Sequence, residues 1–280
     1  MQVDRVKSQS CCAGRQANHW VWWCIRMVWA AKKEGGDVWG QAWAQAGLLV
    51  VHLQHPGSDA PALRGGFGAL RAASQPEQLI ARQQDVKFAI EQILRQRGSG
   101  QSAWSSLPLD KFAITGHSFG ARTTLVSAGW QRNGTSGAEP LAQAFIALSP
   151  ALGSTSSLES ARKELASISR PMLVCTGSMD GEIMGNGETP ESRRMVFDAL
   201  PAGKKALLWL DEADHFTFAG NSKQIPSTFL AKRSKLTLGL EEQQHELIAR
   251  TTTAWLKEHL LGQSMPAPSG LRAQDQWLRA

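Results

Sequence analysis

From about residue 35 onward the chain alternates short, unbroken apolar runs with longer amphipathic stretches. The runs at 47–53 (GLLVVHL), 111–115 (KFAIT), 144–148 (AFIAL), 171–176 (PMLVCT) and 206–210 (ALLWL) predict buried strands. Continuous apolar runs of this length suit strands covered on both faces. Helical spacing falls between them, over 76–97, 121–131, 158–167 and 191–200, and a long helix is predicted over 241–261. GSGQS (98–102), NGTSG (133–137) and GSTSS (153–157) are loops by composition. Such alternation predicts an α/β fold with a mostly parallel central sheet and helices on both faces. Beyond Leu261 the stretch GQSMPAPSG breaks the helix, and the tail 263–280 is expected to wrap the surface or be disordered.

Length and composition narrow this picture. The 280 residues suit one large domain. With no internal repeat and no long linker, the reading is an atypical segment 1–33, a domain 34–262 and the tail 263–280. A mean hydropathy of -0.26 with 19% charged residues fits a soluble globular protein and excludes a membrane bundle or a disordered chain. The apolar stretch 20–31 is interrupted by Arg26 and falls short of the ~20 residues of a membrane span. After Arg5 and Lys7 the sequence stays polar where a signal peptide needs an apolar core, so no signal peptide is expected in the chain as written. The compartment is cytoplasmic by default only.

The net charge of +6 favours anionic partners only if the positive residues cluster. Lys32-Lys33, Lys204-Lys205 and Lys232-Arg233-Lys235 are short and scattered, which argues against nucleic acid. Four of the 11 Trp (20, 22, 23, 29) and three of the four Cys (11, 12, 24) lie before residue 34. Cys11, Cys12, Cys24 and His19 have no C-x-x-C spacing, so a zinc site is not expected. Cys175, inside PMLVC, reads as a small buried hydrophobe.

The candidate chemistry begins after the strand KFAIT. Gly116-His117-Ser118-Phe119-Gly120 is G-x-S-x-G, followed directly by the helical stretch ARTTLVSAGW. In the order strand, sharp turn, helix, this pattern lifts a serine hydroxyl clear of a sheet. The N–H of the next residue, Phe119, can then face a developing oxyanion at the helix N-terminus. A serine needs a base, and the base needs an acid to hold its tautomer. Asp180 follows the strand PMLVCT and His215 follows ALLWL, each at a carboxyl end where α/β enzymes place their sites. Asp211 and Glu182 are alternative acids, whereas Asp214 adjoins the histidine and is expected to point elsewhere. Of the other histidines, His117 is expected to be structural, His52 and His55 precede the serine, and His245 and His259 are expected on solvated faces of the last helix.

These motifs resemble the α/β-hydrolase superfamily, and within it the dienelactone-hydrolase-like serine esterases related to platelet-activating-factor acetylhydrolase and bacterial polyester hydrolases. The resemblance spans 35–261 and rests on GHSFG (116–120), HPGSD (55–59), TGSMDGE (176–182) and DHFTF (214–218). It implies an α/β-hydrolase fold and an esterase-type hydrolase that needs neither metal nor organic cofactor. It also implies a small-molecule or lipid ester as substrate. Dienelactone hydrolases carry a cysteine nucleophile where this chain has Ser118, so the dienelactone itself is not the expected substrate. A phospholipid or a polyester is the alternative. Loops at 185–193 and 219–238 are expected to rim the site.

One family feature is missing. A strand ending in S-H-G-x-G-G, which gives the second oxyanion N–H, belongs upstream of HPGSD, and here that place holds HWVWWCIRMVWAAKKEGG. The genetic code offers a reason. Read from the third base of each codon, 20–31 gives Gly, then Leu, Val or Met, then Val, Val, and Tyr or His. The frame continues through positions that permit Ser and His, then Gly, then Leu, Val or Met, then Gly, and a last position that permits Gly. That is compatible with G-L-V-V-Y-S-H-G-L-G-G. Residues before about Lys32 therefore read as translated out of frame, with a divergent native N-terminus as the alternative. If 21–25 still forms a strand, backbone near Val28 and Trp29 would occupy the oxyanion loop. The lost donor also raises the alternative of a catalytically impaired hydrolase-fold binding protein.

Overall fold

A computed structural model describes residues 22–27, 37–53, 55, 75–98, 111–132, 137–153, 156–182, 187–220, 231 and 233–280. Strands β1 (Trp22–Met27), β2 (Leu48–Leu53), β3 (Phe112–His117), β4 (Ala142–Leu148), β5 (Met172–Met179), β6 (Lys205–Asp214) and β7 (Gln276–Arg279) form one sheet in the order β2-β1-β3-β4-β5-β6-β7. Every pairing is parallel except β6 with β7. The helices are α1 (Asp37–Gln45), α2 (Pro76–Gly98), α3 (Phe119–Ala128), α4 (Leu158–Leu165), α5 (Pro190–Ala199) and α6 (Lys235–Leu261). The protein is thus α/β with a mostly parallel sheet.

Strand side chains alternate between two cores, as the two-residue repeat of a strand requires. Ile114, Phe145, Val174 and Leu207 face a core completed by Val86 of α2, Leu125 of α3, Leu165 of α4 and Val196 of α5. Ala113, Ile146, Leu173 and Leu208 face the opposite core, completed by Trp39 and Trp43 of α1 and by Ile248 and Trp255 of α6. Among the described residues four helices therefore cover one face and two cover the other, which explains why the central strands read as continuous apolar runs.

From β1 the chain moves outward to β2, then returns to lay β3 on the other side of β1. The order reverses there, and at such a switch point the strand ends leave a crevice. β3 borders that switch point.

Several sequence expectations need correction. The tail is not free of regular structure: β7 pairs antiparallel with β6, placing Trp277 opposite Leu208. Helix α6 begins six residues before 241, because Ser234 accepts a hydrogen bond from Thr237 N as its N-cap. The stretch 185–193 is not all loop, since a capping box of Thr189 and Ser192 with Pro190 in the first turn starts α5. Similarly, 235–238 of the expected rim at 219–238 is the first turn of α6. His245 and His259 are part-buried and not solvated. The ring of His245 meets Trp39 edge-on and its Nε2 bonds the Thr217 carbonyl, while His259 packs edge-on against Trp255. β1 lies where a first strand was conditionally expected, but Val28 and Trp29 lie outside the described residues, as do Cys11, Cys12 and His19.

Candidate active site

Ser118 stands between the end of β3 and the start of α3, with φ 57° and ψ -117°. A positive φ is strained for a serine, and the surroundings hold it there. Its own N–H donates to the Leu148 carbonyl at 3.0 Å, and its carbonyl accepts the first helical bond from Arg122 N. The turn closes so tightly that a Cβ on Gly116 would collide with the carbonyl of Gly120 and approach Thr124 Oγ1. This collision is the physical reason for glycine at position 116. Phe119 is the first helical residue, so its N–H has no partner within the helix.

His215 follows β6, and an irregularity in the sheet aims it. Gly177 pairs with Leu210 but Met179 pairs with Asp214, so β6 carries extra residues opposite Ser178. Glu212 takes φ 61° within this bulge. Ser178 stabilises it by donating to Asp211 Oδ1 at 2.8 Å and accepting from Glu212 N at 2.7 Å. Gly177 is needed because a Cβ there would strike the Leu210 carbonyl and Ala213. The bulge delivers His215 opposite Asp180, the first residue after β5.

Ser118, His215 and Asp180 are brought into one line. His215 Nε2 lies 2.9 Å from Ser118 Oγ, and its Nδ1 lies 3.0 Å from Asp180 Oδ1. Asp180 is fully buried and Ser118 only partly so, which leaves the hydroxyl at the open end. The alternative acids stand elsewhere. Asp211 is tied to Ser178, Asp214 pairs with Arg233 at 2.6 Å, and Glu182 is exposed. His117 is buried, with Nε2 3.0 Å from the His215 carbonyl. His55 pairs with Asp85 of α2 at 2.8 Å.

Sequence reading missed three side chains around Asp180. Thr176 donates to Oδ2 at 2.7 Å, Ser149 donates to Oδ1 at 2.8 Å, and Arg193 Nε lies 3.0 Å from Oδ1. Burial alone would raise the carboxyl's pKa, yet the Arg193 charge, with hydrogen bonds from His215 and Thr176, brings it down to about 2. His215 shifts below its ordinary value, chiefly through burial and then through Arg193, against the opposing pull of Asp180 and Asp214. The site therefore holds a fixed carboxylate beside an imidazole that is neutral near neutral pH, hydrogen-bonded to a hydroxyl. Such a line can move a proton from Oγ to Nε2. Arg122, one turn into α3, joins Glu188 at 3.0 Å, and Glu188 accepts from Ser192 at 3.0 Å, which ties α3 to the start of α5.

Among the described residues no group of three or more His, Cys, Asp or Glu is placed to hold a metal ion, and no helix is long and apolar enough to cross a membrane. Cys175 is buried in β5, and burial pushes its thiol far above the ordinary range. No protein-family model and no curated protein matches the chain.

Proposed function

We propose that the chain is a serine hydrolase of carboxylic esters with an α/β-hydrolase fold. Ser118 is the nucleophile, His215 the base and Asp180 the acid that orients it. The single observation carrying this reading is the hydrogen-bonded line Ser118 Oγ–His215 Nε2 and His215 Nδ1–Asp180 Oδ1 at 2.9 and 3.0 Å. The reversal of strand order beside β3, which marks the crevice where α/β folds hold their ligands, supports the location.

In the proposed reaction Ser118 Oγ attacks the ester carbonyl as Nε2 takes its proton. The tetrahedral oxyanion receives the Phe119 N–H, and the imidazolium is stabilised by Asp180. Nε2 then gives the proton to the leaving alkoxide, forming an acyl-Ser118 ester and releasing the alcohol. Water, deprotonated by the same nitrogen, attacks the acyl group and regenerates Ser118 with release of the acid. Small-molecule and lipid esters are the substrate class.

Hydrolysis of p-nitrophenyl acetate and butyrate tests the reading. Turnover by the unaltered protein and its loss by at least ~10³-fold in Ser118→Ala are expected. A folded protein with no turnover, or turnover indifferent to Ser118→Ala, overturns it.

A further inference from the structure

The oxygen of Asp180 that meets His215 is shared. Oδ1 lies 3.0 Å from His215 Nδ1, 2.8 Å from Ser149 Oγ and 3.0 Å from Arg193 Nε. Ser149 Oγ itself lies 2.6 Å from His215 Nδ1. All four side chains are buried. The protons can be assigned without conflict, because a hydroxyl carries one hydrogen and two acceptor lone pairs. Ser149 donates its hydrogen to Asp180 Oδ1, and its oxygen accepts the Nδ1–H alongside the carboxylate. The imidazole N–H thus faces two acceptors.

Arg193 fixes the segments from which those acceptors project. Its Nε donates to the Asp180 carbonyl at 2.8 Å, its Nη1 to the Ser149 carbonyl at 3.0 Å, and its Nη2 to the Gly181 carbonyl at 3.3 Å. One guanidinium therefore joins the loop after β4 to the loop after β5. Ser149 needs this hold, since its φ of 51° is left-handed backbone that a serine adopts only when its surroundings impose it. A second restraint comes from Ser149 N, which donates to the Cys175 carbonyl at 2.7 Å.

We propose that Ser149 and Arg193 are positioning residues of the hydrolytic site, Ser149 as second acceptor of the His215 Nδ1–H and Arg193 as the clamp that sets both acceptors. The kinetic consequence rests on the ester-hydrolase reading above. Four ionisable groups face His215: Asp180 after β5, Arg193 from α5, Asp214 at the end of β6, and His117 at the end of β3, whose ring centroid is 4.6 Å away. Arg193 opposes protonation of the imidazole, whereas Asp180 and Asp214 favour it. Removing the Arg193 charge must therefore move the titration of His215 to higher pH, while removing the neutral Ser149 hydroxyl leaves it nearly in place.

The test compares Arg193→Gln, Arg193→Lys and Ser149→Ala with the unaltered protein. It uses the pH dependence of kcat/KM on p-nitrophenyl butyrate and an NMR titration of the His215 ring. Arg193→Gln is expected to lower kcat by ~10²-fold with little change in KM, and to raise both the acid limb and the ring titration by about one pH unit. Arg193→Lys, which keeps the charge but not the planar fork, should return the titration toward its original position without restoring full kcat. Ser149→Ala should lower kcat by ~10-fold with the acid limb unmoved. An unchanged kcat and an unmoved ring titration in folded Arg193→Gln overturn the role of Arg193, and an unchanged kcat in Ser149→Ala overturns that of Ser149. Should Arg193→Gln not fold, Arg193→Lys decides: full kcat without the fork overturns the clamp. An unaltered protein without turnover refutes the hydrolase reading instead; the ring titration of Arg193→Gln then still decides the role of Arg193, and the His215 Nδ1 proton resonance, expected to move in Ser149→Ala as one of its two acceptors is lost, decides that of Ser149.

Discussion

A serine hydroxyl 2.9 Å from a histidine nitrogen is a common contact, and its use depends on the protonation state of the ring. At His215 the balance favours the neutral form, because burial and the Arg193 cation together outweigh the pull of two carboxylates. In the proposed reaction the base must be unprotonated, so the acid limb of kcat/KM follows the titration of His215. The rate should fall only as pH drops through a value below the ordinary ~6.5 of histidine. A pH–rate profile checks this, and an acid limb at or above ~6.5 contradicts the account. Asp180 stays ionised across that range, because its folded pKa is lowered to about 2. Its contribution to stability is complete above the unfolded carboxylate range and is lost as pH falls toward that value. Ser118, Asp180 and His215 were legible in the sequence because each stands three to five residues beyond an apolar run, where a strand ends and chemistry can begin. Ser149 likewise follows a strand end, one residue past β4, but a serine before a proline carries no further mark. Arg193 was hidden differently, since nothing in TPESRR distinguishes an arginine that turns back into the site from one in solvent.

At the scale of elements, the central strands were readable because both their faces are covered, so each is a run of apolar residues. β7 was not readable: QWLR is short and half-polar, and it forms a strand because β6 offers it an edge. Two further main-chain bonds, between Lys205 and Ala280 at 3.0 Å each, extend this ladder. Trp277 packs onto the core beneath α6. Ending the chain at Asp275 should therefore lower stability by about 1–3 kcal/mol, from lost hydrogen bonds and apolar cover. In a thermal melt this is a fall of several degrees, at roughly 2–4 °C per kcal/mol for a domain of this order of size. An unchanged Tm would show that β7 adds nothing to the sheet. The bulge in β6 was equally invisible, because the signal for it, Gly177 facing Leu210 and Ala213, exists only once β5 and β6 are paired.

Across the whole molecule, the out-of-frame reading bears on the switch point beside β3. β1 pairs with β2 and β3 in continuous register, from Trp22 opposite Leu48 to Met27 opposite Gly116. A main-chain ladder of this kind is indifferent to which side chains the codons specify. The resemblance implies an oxyanion loop after this strand, and such a loop needs small residues for close approach. Sequencing the DNA of codons 20–31 checks the frame directly. A chain encoding G-L-V-V-Y-S-H-G-L-G-G there should gain ~10²–10³-fold in kcat if a second donor is what the present chain lacks. No gain would leave Phe119 N–H as a sufficient donor.

The packing of α1 against the far side of the sheet has an optical consequence. The chain has 11 Trp and no Tyr, so its ultraviolet emission is that of tryptophan alone. Trp39, fully buried, donates its indole N–H to the Phe218 carbonyl at 3.1 Å, three residues after His215, and its ring lies against Gly220. That indole of α1 is a built-in fluorophore hydrogen-bonded to the turn that follows the histidine, so a displacement of this turn reaches a reporter already in the sequence, without a label.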